Sequence, residues 1–178
     1  MIIHVTPLSR LAAALETTGA SHLISLLSAD AVFERPAHLD PVCCLRLSMH
    51  DITEETPGLL APSHALVETL LEFAQAWDRA APLVVHCFAG ISRSTAAAYV
   101  IAAALQPKRC EADLAWELRR LSPCATPNIR IVTLADDILE RGGRMVEAVR
   151  AIGRGKEAHE GTPFALTLQP PFDFPTRA

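Results

Sequence analysis

A chain of 178 residues has room for one compact domain with a buried core, and with half its residues hydrophobic it is not a disordered polymer. Its net charge of −4 gives no ground for nucleic acid or an anionic membrane as partner. Residues 1–80 carry 4 basic and 10 acidic side chains and the remainder 12 and 10, so the second part is the more positive.

Met1–Pro7 lacks the basic segment and long apolar run of a secretory signal. The longest apolar run, the ten residues Ala96–Leu105, is too short to span a bilayer. A soluble cytoplasmic protein is expected. The five cysteines (Cys43, Cys44, Cys87, Cys110 and Cys124) are odd in number, which fits reduced thiols better than a disulfide framework. Arg outnumbers Lys 14 to 2 and Ala is abundant, a composition that suggests a GC-rich bacterial genome.

In chain order, Ile2–Val5 and His22–Leu27 are short apolar runs expected as strands, with a helix over Ser9–Thr17 between them. Pro41–Met49 is expected as a third strand. Pro57 and Gly58 then break the chain, and Ser63 is placed to cap a helix running to about Arg79, with Leu66, Leu70, Phe73, Ala74 and Trp77 on its apolar face. Leu83–Val85 is wholly apolar, the pattern of a central strand covered on both faces. Helices are expected over Ser94–Leu105, Glu111–Leu121 and Ile129–Arg141, and a further one over Gly143–Ile152. Strands alternating with helices predict an α/β fold, a three-layer α/β/α sandwich around a mostly parallel sheet of four or five strands. Residues 1–153 are expected as a single domain and 154–178 as an extended C-terminal tail, whose aromatic residues could pack on that domain.

The chemistry concentrates in Val84-Val85-His86-Cys87-Phe88-Ala89-Gly90-Ile91-Ser92-Arg93-Ser94, where a strand ends and a helix begins. Ligands of open α/β sheets bind in the crevice at the carboxyl ends of the strands. A helix N-terminus there presents unpaired N–H groups and partial positive charge, which attract phosphate. The five residues Phe88, Ala89, Gly90, Ile91 and Ser92 can curl their amides around one tetrahedral anion, with Gly90 supplying the tight turn. Arg93 can close the ring with a bidentate contact. The same donors stabilise the Cys87 sulfur as its anion, the nucleophilic form. His86 is placed to orient the Cys87 backbone, and the Ser94 hydroxyl to stabilise sulfur when it leaves.

His-Cys, five residues, Arg and Ser resemble the signature loop of the Cys-based protein tyrosine phosphatases, and AGISRS resembles their dual-specificity branch. Leu118–Pro123 and Pro127-Asn128 are similar to the Arg-rich helix and Pro-Asn turn of that branch. The resemblance covers roughly residues 41–140. It implies hydrolysis of phosphate monoesters, most of all phosphotyrosine in proteins, through a phosphocysteine intermediate and without metal or cofactor. The implied partner is a phosphorylated protein or small phosphorylated molecule. In the family an Asp on a mobile loop before the nucleophile is the proton donor. Asp51, 36 residues before Cys87 at the head of the loop DITEETPG, is the candidate. Glu54 and Glu55 are its rivals on the same loop, Asp40 is too early, and His50 could tune its neighbour.

Other residues carry weaker readings. Cys43 or Cys44 would be a disulfide partner for an oxidised Cys87 if their strand ran beside the site. Cys110 and Cys124 are expected to be structural. The Arg-rich stretch 128–154 fits a solvated helix face. Three other functions compete with this reading. One is a phosphoinositide or other small-molecule phosphatase, disfavoured because residues 88–92 contain no Lys, Arg or His. The others are a catalytically weak phosphate-binding module and a rhodanese-like sulfurtransferase, whose loop lacks this frame.

Overall fold

The computed structural model describes residues 1–168. They form a five-stranded sheet flanked by helices, the α/β sandwich expected from the alternation. The strands are β1 (Ile2–Pro7), β2 (His22–Leu27), β3 (Cys44–Ser48), β4 (Leu83–Cys87) and β5 (Phe164–Thr167), in the spatial order β3-β2-β4-β1-β5. β1 to β4 are parallel, and β5 runs antiparallel along the edge of β1. No helix of the described residues is long and apolar enough to cross a membrane.

The helices are α1 (Leu11–Thr18), α2 (His64–Ala76), α3 (Arg93–Leu105), α4 (Glu111–Leu121), α5 (Ile129–Ile138) and α6 (Arg144–Ile152). The two faces of the sheet are unequal. Leu83, Val85 and Cys87 of β4 join the main core with side chains from α2 to α6, whereas Val84 joins a smaller core with Leu11, Leu15 and Leu39. β4 is therefore buried on both sides, which explains its unbroken apolar run.

α3 is the axis of the larger side. Every residue from Arg93 to Ala103 is buried, and its six alanines between residues 96 and 104 let neighbouring helices approach closely. Only residues 88–92 separate its amino end from β4, so the positive pole of the helix is set at the carboxyl edge of the sheet. α2 begins as expected, with Ser63 Oγ accepting from the Leu66 amide. α6 depends on Asp136, whose buried carboxylate accepts from the amides of Gly143 and Met145.

Three sequence expectations change. Pro41–Cys43 is a 3-10 turn capped by Asp40, so the third strand starts only at Cys44. Arg130 and Arg141 are not a solvated face. Arg141 bonds the carbonyls of Ala103 and Pro107 and pairs with Glu111, while Arg130 bonds the carbonyl of Pro62. The segment after residue 153 is extended but is no appendage up to Leu168. It supplies β5, with Leu166 fully buried opposite Ile3 and the Leu168 amide donating to Met1 O. Phe164 packs on the core, whereas Phe172 and Phe174 lie outside the described residues.

Leu166→Ala separates a fifth strand from a loose tail. Urea unfolding should show a loss of about 2–5 kcal/mol, the cost of truncating a buried leucine. A dispensable tail would give a change near zero.

Candidate active site

β4 delivers Cys87 at its carboxyl end, and residues 88–92 turn from there into α3. The loop is pinned from outside at four carbonyls. Phe88 O accepts from the Leu8 amide at 3.1 Å and Ala89 O from the Gly161 amide at 2.8 Å. Ile91 O accepts from the Thr126 amide at 2.9 Å, and Ser92 O from the amides of Ala96 and Asn128 at 2.9 and 3.3 Å.

In a trans peptide a carbonyl and the N–H of the next residue point opposite ways. Holding those carbonyls outward therefore turns the amides of Ala89, Gly90, Ser92 and Arg93 to the inner side. The Gly90 amide shows the result, donating to Cys87 Sγ at 3.2 Å. Gly90 has φ +69°, and a Cβ there would stand 2.8 Å from the Pro7 nitrogen, so both conformation and space require glycine. Ser94 Oγ lies 3.1 Å from Sγ on its other side.

Arg93 is 7% exposed, and its guanidinium is anchored by donation to Met49 O at 2.8 Å. Its buried Nε has no hydrogen-bond partner among the described residues and is 3.9 Å from Asp51 Oδ2. The Asp51 carboxylate therefore offsets its charge from beyond hydrogen-bond length, while the Nε–H itself stays without a hydrogen bond.

Asp51 is brought to the loop, as its position in the sequence suggested. Its Oδ1 accepts from Ser92 Oγ and from Asn128 Nδ2, both at 2.7 Å, which leaves Oδ2 on the Arg93 side. Glu55 instead pairs with Arg130 at 3.1 Å, and Glu54 is exposed. His50 closes the neck of the acid-bearing loop, because its Nδ1 accepts from the Leu60 amide and its own amide donates to Leu60 O.

His86 lies on the opposite face from Sγ. Its Nε2 is 2.7 Å from Ser25 Oγ, and its ring sits 5.3 Å from that of Phe33. Burial pushes the imidazole down to about 4; the adjacent Cys87 backbone pulls the other way, though Nδ1 has no partner within hydrogen-bond geometry. His86 is therefore a neutral group that holds β4 to β2.

The thiol-pairing idea does not fit. Cys44 is level with Val84 in the sheet, two strands away and three residues short of Cys87. That separation is roughly 14 Å at about 3.3 Å per residue and 4.8 Å per strand. A disulfide needs Cα atoms within about 7 Å. Burial also pushes the Cys44 thiol up, making it a poor nucleophile. Cys43 is further still from the carboxyl edge, in the turn before β3.

Three contributors were not recognisable as site residues from sequence. Asn128, 3% exposed, caps α5 through Oδ1, grips Asp51 through Nδ2 and braces Ser92 O through its amide. Leu8 and Gly161 brace the loop through backbone alone, which no side-chain motif announces. A cavity of about 830 Å³ lies elsewhere, between α1 and residues 32–38, with Leu8 and Phe33 in its lining. The described residues contain no cluster of His, Cys, Asp and Glu able to hold a metal ion.

No protein-family model and no curated protein matches this sequence. Solved structures do. The crystal structure of DUSP15 superimposes with a TM-score of 0.59 at 17% identity, covering 84% of this chain and 89% of that one. The PTP-2 phosphatase of Cydia pomonella gives 0.59 at 18%, with 76% and 84% covered. The human tyrosine phosphatase-like serine/threonine/tyrosine-interacting protein gives 0.57 at 20%, with 77% and 87% covered. The fold is thus that of the dual-specificity and tyrosine phosphatases, as the sequence resemblance implied. Whether the fold works as a catalyst depends on the residues in the loop.

The depressed His86 imidazole predicts a pH dependence. Its folded value near 4 lies below the ordinary 6.5, so its contribution is full above pH 6.5 and is lost as pH falls toward 4. Between pH 7 and pH 5 wild type should lose about 2 kcal/mol more stability than His86→Gln, measured by urea unfolding. Parallel slopes for the two proteins would contradict the buried neutral assignment.

Proposed function

We propose that this chain hydrolyses phosphate monoesters, with Cys87 as nucleophile, and that it belongs to the dual-specificity-like branch of the tyrosine phosphatases. The observation that carries the reading is the loop itself. The Gly90 amide ends on Sγ, and the buried Nε–H of Arg93 has no hydrogen bond, with Asp51 Oδ2 3.9 Å away.

In the first step the Sγ anion attacks phosphorus in line with the ester oxygen. A P–S bond forms as the P–O bond breaks. The amides of residues 88–93 and the Arg93 guanidinium hold the equatorial oxygens, where charge is spread in the transition state. Asp51 gives the leaving oxygen a proton from Oδ2, since Ser92 and Asn128 occupy Oδ1. In the second step Asp51 takes a proton from water, the water oxygen attacks phosphorus, and the S–P bond breaks. The departing sulfur is stabilised by Ser94 Oγ–H at 3.1 Å and Gly90 N–H at 3.2 Å. No step uses a metal or cofactor.

The substrate we infer is singly phosphorylated, phosphotyrosine in a protein above all, met in the cytoplasm. Residues 88–92 carry no cation, and Arg10 and Arg130 are paired with Glu160 and Glu55. A headgroup with several phosphates would meet those carboxylates as well. Phe88, 68% exposed beside the nucleophile, offers an apolar rim to an aromatic ester.

Turnover of an aryl phosphate near pH 6 tests the reading. Cys87→Ser should lower kcat at least about 10⁴-fold while inorganic phosphate still binds. Arg93→Lys should cost about 10²–10³-fold, because an ammonium cannot reproduce the planar fork. Asp51→Asn should cost about 10²-fold on an alkyl phosphate and under tenfold on an activated aryl ester. Wild-type turnover by Cys87→Ser would refute the mechanism, and wild-type rates on both esters for Asp51→Asn would remove Asp51 from it.

A further inference from the structure

The segment between α6 and β5 runs past the site by a route that its sequence does not suggest. It starts at Gly153, whose carbonyl accepts from Arg119 Nη2 at 2.8 Å. The Gly155 amide donates to Thr126 Oγ1 at 3.1 Å and the Lys156 amide to Pro123 O at 2.9 Å, tying the segment to the loop that braces Ile91. At the other end, Glu160 accepts from Ser9 Oγ at 2.7 Å and lies 3.8 Å from Arg10 Nε. Between these anchors and β5, the Gly161 amide reaches Ala89 O at 2.8 Å.

We propose that residues 155–161 form a strap that positions the phosphate loop, with Gly161 as the positioning residue. The Gly161–Ala89 bond acts on the same peptide that carries the Gly90 N–H. With Ala89 O held outward, that N–H can only face Sγ. Released, the peptide can rotate and present a carbonyl oxygen to the sulfur, replacing an attractive dipole with a repulsive one. Glycine is required because a Cβ at residue 161 would stand 2.7 Å from Gly90 O. The strap closes a ring around the loop, from the 122–128 segment to the carboxyl end of β1, whose Pro7 nitrogen fits against Gly90.

The inference rests on the phosphatase reading for its rate measurement only. Full-length Gly161→Ala is compared with wild type and with Leu70→Ala, a core truncation in α2 that reports the effect of lost stability alone. Alkylation of Cys87 by iodoacetamide at pH 6, followed by peptide mass spectrometry, needs no turnover. Gly161→Ala should alkylate at least about fivefold more slowly and show kcat about tenfold lower, with KM within threefold. Leu70→Ala should match wild type in both. Wild-type alkylation and kcat in Gly161→Ala, or an equal loss in Leu70→Ala, would overturn the strap. A wild-type chain that lacks phosphatase activity would sink the mechanism but leave the alkylation comparison decisive for the strap. Should Gly161→Ala not fold, Glu160→Ala frees the strap from Ser9 and should give about threefold losses in both readouts; wild-type values there overturn it equally.

Discussion

The structure turns on the orientation of a few peptide planes. A loop that curls tightly enough to ring a phosphoryl group has no internal ladder to fix its amides. Here the fixing is external, with the carbonyls of Phe88, Ala89, Ile91 and Ser92 held by Leu8, Gly161, Thr126 and Asn128. Those donors come from the end of β1, the α4–α5 connection and the segment before β5. The sheet and the helices can be understood as the frame that brings them to one place.

That arrangement gives the helix start its use. An isolated helix N-terminus attracts anions weakly, and water screens it. α3 is buried from its first residue, so its positive end works where water is scarce, beside the guanidinium of that residue, whose Nε lies 3.9 Å from Asp51 Oδ2. The acid-bearing loop is fastened to the same point, because Ser92 and Asn128 hold Asp51 while Asn128 also caps α5. Asp51 thus shares Ser92 and Asn128 with the loop between Cys87 and Arg93, so displacement of one is felt by the other.

Much of this was legible in the sequence, for definable reasons. Cys87, Arg93 and the intervening Gly90 are contiguous, so their chemistry is written in one segment. Asp51 stood out because it opens a polar loop, three residues after β3 ends at Ser48 and one α/β unit before Cys87. β5 was hidden because its four residues, Phe-Ala-Leu-Thr, are too short to show alternation beside so many Gly and Pro. Arg130 and Arg141 were misread since an arginine that bonds carbonyls looks like a solvated one in sequence. The adjacency of strands does not reveal which end of the sheet a residue occupies, and the parallel register puts Cys44 well below Cys87. The bracing by Leu8 and Gly161 uses only main-chain atoms, and no pattern of residue types could have disclosed it.

The central claim is that the amides beside Cys87 form a ready oxyanion receptor. Titration of ¹⁵N-labelled protein with tungstate, read by the amide signals of Ala89, Gly90, Ile91, Ser92 and Arg93, tests it most directly. The account predicts that these signals shift together along one saturation curve. Tungstate that leaves them unmoved, or binds while shifting amides elsewhere, would contradict it.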